Sequence, residues 1–105
     1  MPTGSKTGRP SPGPTGEWID RFNALGLSDE ERYALLVGHF ASVGEQALIR
    51  PPFFCDYGYN ISLRAGAFLN YACIIVDVDP VSIGEGTAIG PAVQILASDH
   101  PRDPG

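Results

Sequence analysis

The sequence predicts a mainly β protein with N-terminal helices, in which a parallel β-helix of hexapeptide repeats follows a small helical region. Three observations predict this class. Aliphatic residues recur at six-residue intervals from Leu63 to Ile95, glycine and small residues stand between them, and a helix start signal lies upstream at Ser28. The chain has 105 residues, 43% of them hydrophobic, which is enough for one small domain with a packed core.

The first part of the chain is predicted to be a tail followed by a short helix. Residues 1–16 consist largely of Gly, Pro, Ser and Thr, with almost nothing to bury, and we expect them to be disordered. The following stretch, EWIDRFNALGL, places apolar side chains on one face of a helix that ends at Gly26. These side chains are Trp18, Ile19, Phe22 and Leu25.

A second helix is predicted over residues 29–43, where start and end signals are both present. Ser28 followed by Glu31 forms a capping box, and Gly44 closes the element. Apolar residues recur at helical spacing between these limits, at Tyr33, Leu36, Val37 and Phe40. We expect this helix to cover the first coil of the β-helix, and we interpret His39 as structural rather than as a ligand.

Six units carry the hexapeptide pattern. Their leading residues are Leu63, Leu69, Ile75, Ile83, Ile89 and Ile95, and the period is interrupted once, by Val81 and Ser82. A period of six is wrong for a helix and too long for an alternating hairpin, but it suits short strands joined at corners, with the leading side chains directed inward. Small residues suit the corners, namely Ala65, Thr87, Ala88 and Ala92. Six units make about two coils; a small antiparallel β domain is the alternative.

The overall charge, the apolar runs and the cysteine content show which kinds of partner and location are expected for the protein. The net charge is -5 and the pI near 4.7, so nucleic acid is not expected as the main partner. No apolar run approaches the length of a membrane span, and the N-terminus lacks the apolar region of a secretory signal. Cys55 and Cys73 form no CxxC pair, and we expect two reduced, partly buried thiols of a cytoplasmic protein.

Two stretches resemble the maltose and galactoside O-acetyltransferases, sugar acetyltransferases of the hexapeptide-repeat class that includes the nodulation-factor acetyltransferase. The first is SDEERYALLVGHFASVGEQALIRPPFFCDYGYNISL, and the second is LNYACIIVDVDPVSIGEGTAIGPAVQILASDHPRDP. The resemblance covers residues 28–104 and implies a left-handed parallel β-helix, truncated here to about two coils. It also implies a homotrimer that transfers an acetyl group from acetyl-CoA to a sugar hydroxyl, at sites between neighbouring subunits.

The resemblance implies a catalytic role for His100, which stands in the motif SDHP. A neutral imidazole can remove the proton from a hydroxyl as it attacks the thioester carbonyl, and an unactivated sugar hydroxyl needs such a base. The family continues beyond this histidine, so the resemblance assigns no residue to the binding of coenzyme A. It implies no metal.

Further polar residues are implied to surround the acceptor. Asn70, in LNYA, matches an active-site asparagine whose amide can both donate and accept hydrogen bonds. Asp56, in CDYGYN, matches a polar position that contacts the sugar. Asp77, in VDVDP, falls at or beside an acceptor-binding aspartate, and Asp79 is the competing candidate. Carboxylates suit this task because they accept hydrogen bonds from several hydroxyl groups.

The predicted organisation is a disordered tail over residues 1–16, a helical domain over residues 17–46 and an incomplete left-handed β-helix over residues 47–105. We expect Tyr57 and Tyr59 to pack the junction between the helical domain and the first coil. Stacking of these two rings on the apolar face of a sugar is the alternative.

Two other functions are compatible with parts of the pattern. A non-catalytic, truncated fragment that lacks the coenzyme-A-binding coils is the alternative to an active acetyltransferase. A metal-dependent β-helix enzyme would need several histidines on one ion, and the chain contains only His39 and His100. We therefore expect a small-molecule sugar or related hydroxyl acceptor, with neither nucleic acid nor a membrane as a partner.

Overall fold

The structure is a computed structural model that describes residues 12–97, with side chains described from residue 17 onward. Within these residues, two helices precede nine short strands. Helix α1 spans Pro12–Phe22 and helix α2 spans Asp29–His39. The strands are β1 Ser42–Val43, β2 Leu48–Ile49, β3 Phe53–Cys55, β4 Ile61–Leu63, β5 Phe68–Leu69, β6 Cys73–Asp77, β7 Val81–Ile83, β8 Ala88–Ile89 and β9 Gln94–Ala97.

The strands form three parallel sheets, which are the three faces of a β-helix. Their orders are β1-β4-β7, β2-β5-β8 and β3-β6-β9, so each coil contributes one strand to every sheet. Ser42, Ser62 and Ser82 are stacked in register, and the coil therefore repeats every twenty residues. This arrangement confirms the predicted fold class and excludes the antiparallel alternative for the described residues.

The described residues contain three coils where the sequence predicted about two. The additional coil precedes Leu63, and its leading residues are Val43, Ile49 and Cys55, which stack on Leu63, Leu69 and Ile75. An eight-residue step separates Cys55 from Leu63, as another separates Ile75 from Ile83. The six-residue period is thus interrupted between each described coil and the next, and the first interruption concealed the first coil.

The leading residues form one continuous inward column, as predicted. Leu63, Leu69, Ile75 and Ile83 are buried. Ile89 and Ile95 are half-buried against the same core, because no described coil stacks on them from the far side. Full burial of one such side chain is worth about 1.5–3 kcal/mol, so this column is a main source of the β-helix stability.

Helix α1 differs from the predicted helix at both ends. It begins at Pro12, inside the segment predicted as a tail, and proline is tolerated in a first turn because the N–H groups there have no helical partner. The rest of that tail, residues 1–11, lies outside the described residues. The helix ends at Phe22, so Leu25 lies beyond it and is 97% exposed, contrary to the prediction that it joins the apolar face.

Helix α2 has the predicted capping box but ends earlier than predicted. The Ser28 hydroxyl accepts from the Glu31 N–H at 3.1 Å, and the Ser28 N–H donates to Glu31 Oε1 at 2.8 Å. These hydrogen bonds lower the pKa of Glu31. The backbone becomes extended at Phe40, so β1 begins where the helix was predicted to continue, and Val37 is 53% exposed rather than buried.

The two helices close the first end of the β-helix, as predicted for α2. Trp18, Phe22, Phe40 and Phe53 form an aromatic cluster with ring centroids 5.9–6.2 Å apart. The Asn23 amide accepts from the Phe53 N–H at 2.9 Å and donates to the Phe53 carbonyl at 3.0 Å, as a neighbouring strand would. The Tyr33 hydroxyl donates to the Gly44 carbonyl at 3.1 Å, beside β1. Apolar packing and edge hydrogen bonds therefore cap the first coil together.

Arg32 and His39 have structural places in this cap. The Arg32 guanidinium donates to the carbonyl of Phe22 at the end of α1, at 2.7 Å, and to the carbonyls of Ala24 and Leu27 in the α1–α2 connection, at 2.7 and 2.8 Å. The His39 ring stacks on Trp18 at 4.7 Å, and its Nδ1 lies 2.8 Å from the Leu35 carbonyl. In the described part of the chain, neither helix is long and apolar enough to cross a membrane.

Candidate functional site

Asp77 is the organising residue of the corner where one coil passes into the next. It ends β6 and is 0% exposed. Its Oδ1 accepts from the Tyr57 N–H at 2.9 Å, and its Oδ2 accepts from the N–H groups of Gly58 at 2.8 Å and Asn60 at 3.3 Å. A buried carboxylate is tolerated when such donors replace water. Asp77 thus holds residues 56–60, which connect β3 to β4 and are called the 56–60 corner below.

Asn60 and Gly58 complete this corner, and sequence reasoning passed over both. The Asn60 amide donates to the carbonyl groups of Asp77 at 2.8 Å and of Val78 at 3.1 Å. Gly58 has a φ of 92°, and a Cβ there would lie 3.2 Å from Cζ2 of Trp18. The run YGYN carried a turn signal, because glycine and asparagine favour such conformations. The signal did not show which carboxylate would bind the turn.

Tyr57 and Tyr59 flank Gly58 on the outer surface of the 56–60 corner. They are 38% and 62% exposed, and their rings stack on each other with centroids 5.1 Å apart. Tyr59 is therefore mostly exposed rather than packed at the junction as predicted, and a Cβ at Gly58 would meet Trp18 there. Asp56, the preceding residue, is exposed on the same corner.

Asp79 differs from Asp77 in how its carboxylate is used. Asp79 is half-buried, and its backbone N–H donates to the Ala97 carbonyl at 2.8 Å. Its Oδ2 is buried and has no hydrogen-bond partner among the described residues. A buried oxygen without a hydrogen-bond partner lowers the stability of the fold. Asp79, the competing candidate, therefore has a carboxylate oxygen that is available to a group outside the described residues. Direct contact of either aspartate with an acceptor stays a prediction.

Asn70 lies at a different corner of the same coil. It follows β5, is half-buried, and its Oδ1 accepts from the Tyr71 N–H at 2.8 Å. Strand β6, five residues long, separates it from Asp77. At about 3.3 Å per residue, the two ends of that strand are roughly 13 Å apart. One chain therefore brings Asp56 and Asp77 to one corner but leaves Asn70 at another.

The remaining predicted site residue, His100, lies outside the described residues, three positions after Ala97. Among the described residues, no group of three or more His, Cys, Asp or Glu side chains is placed to hold a metal ion. A cavity of about 340 Å³ lies away from the 56–60 corner, beside the start of α2. It is lined by Asp29, Glu30, Tyr33, Gln46, Ala47 and Leu48.

Both cysteines are free thiols, as predicted. Cys73 is buried and its Sγ donates to the Gly90 carbonyl at 3.3 Å, while Cys55 is half-buried inside the column. Burial, and then the charges of Asp77 and Asp56, raise the pKa of Cys55 far above its ordinary value of 9.0. The Cys55 thiol therefore stays neutral in the folded protein at pH values where it ionises in the unfolded chain.

This shift predicts a loss of stability in alkaline solution. Above pH 9 the unfolded chain releases the Cys55 proton and the folded chain keeps it, so the free energy of unfolding falls as the pH rises. From pH 8 to pH 10 we expect wild type to lose about 1 kcal/mol more than Cys55→Ser, measured by urea unfolding. Parallel pH profiles of the two proteins would contradict the burial of this thiol.

Comparison with known proteins places this geometry in a family. No protein-family model matches the chain. Nodulation protein L of Rhizobium leguminosarum bv. viciae is 55% identical over 91 residues, which make up 86% of this chain and 48% of that protein. The galactoside O-acetyltransferase of Escherichia coli (strain K12) is 38% identical over 72 residues, which make up 69% of this chain and 36% of that protein. The chain spans about half the length of the curated relatives it matches first.

Solved structures share the fold. A maltose O-acetyltransferase from Clostridium difficile 630 superposes with a TM-score of 0.79 at 36% identity, over 88% of this chain and 50% of that one. A galactoside acetyltransferase in complex with coenzyme A superposes with a TM-score of 0.78 at 32% identity, over 86% of this chain and 46% of that one. By sequence and by its left-handed parallel β-helix, the chain belongs to the hexapeptide-repeat acetyltransferase family of the maltose and galactoside O-acetyltransferases.

Proposed function

We propose that the protein transfers an acetyl group from acetyl-CoA to a hydroxyl group of a sugar or related compound. The single observation that carries this proposal is the unbroken inward column over three coils, which superposes on solved acetyltransferases with TM-scores of 0.78 and 0.79. One related structure, from Vibrio cholerae, contains acetyl coenzyme A and covers 79% of this chain at 31% identity.

His100 is the proposed general base. In this reaction the acceptor hydroxyl loses its proton to the imidazole, its oxygen forms a bond to the acetyl carbonyl carbon, and the thiolate of coenzyme A leaves and takes up a proton. Acetyl-CoA supplies the activated acyl group. The motif SDHP, in which His100 stands, supports this assignment, because it resembles the family's motif around its catalytic histidine.

The proposed acceptor site uses Asp56, Asn70 and Asp77 in different ways. Asp56 is exposed and available for hydroxyl groups, whereas Asp77 acts through the backbone of the 56–60 corner that it holds. Asp79 is the alternative for direct contact, since its buried Oδ2 is not used by the described chain. Asn70 stands at another corner, and a site shared between neighbouring subunits of a trimer would unite residues from separate corners.

Replacement of His100 by alanine tests the proposal. We expect kcat/KM for the acceptor to fall about 10²- to 10⁴-fold, because general-base assistance is lost while binding contacts remain. The measurement is the release of free coenzyme A thiol from acetyl-CoA by the full-length protein, over a panel of glycosides.

His39→Gln is the matched control, since His39 stacks on Trp18 in the helical cap and serves no proposed catalytic step. We expect this variant to retain most of the activity. An unchanged rate in His100→Ala would overturn the assignment of the base. Absence of coenzyme A release by wild type with every hydroxyl acceptor would instead favour a non-catalytic protein.

A further inference from the structure

We propose that Arg50 is a positioning residue for Asn70, and that it acts through the ring of Tyr71. This inference rests on the proposed function, in which Asn70 belongs to the acceptor site. It adds Arg50 and Tyr71 as residues that hold the Asn70 amide in one orientation without contacting a substrate, and it gives that amide the role of a hydrogen-bond donor.

The first observation is the orientation of the Asn70 side chain. Its Oδ1 accepts from the Tyr71 N–H at 2.8 Å. A backbone N–H can only donate, so the amide oxygen faces it and the Nδ2 group faces away. Asn70 is half-buried, and its Nδ2 has no hydrogen-bond partner among the described residues. The amide is therefore presented as a donor, which suits an oxygen atom of either substrate.

The second observation is a side-chain contact between the first two coils at this corner. Arg50 follows β2 and Tyr71 follows β5, and these two strands are neighbours in one sheet. The guanidinium carbon of Arg50 lies 5.6 Å from the centre of the Tyr71 ring. At this distance a guanidinium is attracted to the face of an aromatic ring. Because Tyr71 is 48% exposed, core packing fixes its ring only in part, and the contact with Arg50 adds a restraint.

The backbone around Tyr71 explains why this restraint matters. The Asn70 N–H donates to the Ile89 carbonyl at 2.9 Å and the Ala72 N–H to the Pro52 carbonyl at 2.8 Å, whereas the Tyr71 N–H between them is bound by the Asn70 side chain. Ala72 has a φ of 66°, a left-handed conformation that is unfavourable for a residue with a Cβ. Rotation of the Tyr71 peptide would break its hydrogen bond to Oδ1 and release the amide, and the ring contact opposes this rotation.

A double-mutant cycle in the full-length protein tests whether Arg50 acts through Asn70. We expect Arg50→Ala to lower kcat/KM for the acceptor about 2- to 5-fold, the range that an exposed cation–π contact supplies, with an unchanged KM for acetyl-CoA. In an Asn70→Ala background the same substitution is expected to have no further effect, because the amide that it positions is absent. Equal losses in the two backgrounds would overturn the proposal.

Two sets of variants separate positioning from a change of charge. Tyr71→Leu removes the aromatic face and should reproduce the loss in Arg50→Ala, whereas Tyr71→Phe keeps that face and should restore most of the activity. Arg64→Ala is the matched control, because Arg64 is exposed after β4 and its loss changes the net charge equally. We expect this control to match wild type. An equal loss in Arg64→Ala, or no loss in Tyr71→Leu, would contradict the positioning role.

NMR of the side-chain amide tests the positioning without turnover. In the full-length protein labelled with ¹⁵N-asparagine, the pair of signals that disappears in Asn70→Ala belongs to Asn70 Nδ2. We expect this pair to shift or broaden in Arg50→Ala and in Tyr71→Leu, and to stay in place in Arg64→Ala. An unmoved pair in Arg50→Ala would overturn the proposal. If wild type shows no acetyl transfer, the proposed function fails, and this spectrum alone decides the positioning.

Discussion

Gly44→Ala is expected to unfold the first coil, with a loss of about 3 kcal/mol or more in the free energy of unfolding. Gly44 follows β1, and its backbone meets that of the second coil. A Cβ at this position would lie 2.4 Å from the Ala65 backbone nitrogen and 2.7 Å from the Arg64 carbonyl carbon. Backbone atoms cannot move aside as a side chain can, so the two coils would have to separate. Thermal unfolding followed by circular dichroism measures the effect.

Gly38→Ala is the control for this substitution. Gly38 lies in α2, and a Cβ there would meet no atom within 4 Å. Alanine is the better helix former by up to about 1 kcal/mol, so this variant should be as stable as wild type or slightly more stable. If Gly44→Ala unfolds at the same temperature as Gly38→Ala, the first two coils are not stacked as described.

Asp77→Asn is expected to cost about 2–4 kcal/mol of stability, although the side chain keeps its shape. The carboxylate accepts N–H groups on both oxygens, from Tyr57 on one and from Gly58 and Asn60 on the other. An amide in the same place turns one acceptor into a donor, which then faces another N–H group inside the protein. Urea unfolding at neutral pH measures the loss.

The matched control is Asp79→Asn, two residues further along the chain. Because Asp79 Oδ2 has no hydrogen-bond partner among the described residues, we expect a stability change of less than about 1 kcal/mol. If Asp79 contacts the acceptor, its acceptor KM rises without a loss of stability. Equal destabilisation by both variants would contradict the separate roles given to the two aspartates.

The inward column could be predicted from the sequence, but its full length of three described coils could not. Ile83, Ile89 and Ile95 are large aliphatic residues at an unbroken period of six, and this period alone indicates stacked short strands. The first coil uses Cys55 as a leading residue and is followed by an eight-residue step. Neither feature stands out in a single sequence, and Gly44 was interpreted as the end of a helix that includes β1.

The burial of Asp77 rather than Asp79 could have been predicted from the alternation of side chains along β6. Along β6 the side chains of Cys73, Ile75 and Asp77 are buried in turn, which places Asp77 on the inward face. A period of two from Ile75 thus predicts burial of Asp77 and leaves Asp79 beyond the strand. The partners of Asp77 could not be predicted in this way, because they come from the preceding coil and depend on the twenty-residue register.

Contacts between methyl groups in the full-length protein test the register most directly. With labelled Ile, Leu and Val methyl groups, we expect nuclear Overhauser effects between Leu63 and Ile83, between Leu69 and Ile89, and between Ile75 and Ile95. Strands in neighbouring coils lie about 4.8 Å apart, well within range of this effect. Contacts in the mirrored order of antiparallel hairpins, with none between residues twenty positions apart, would contradict the β-helix and the acetyltransferase proposal that depends on it.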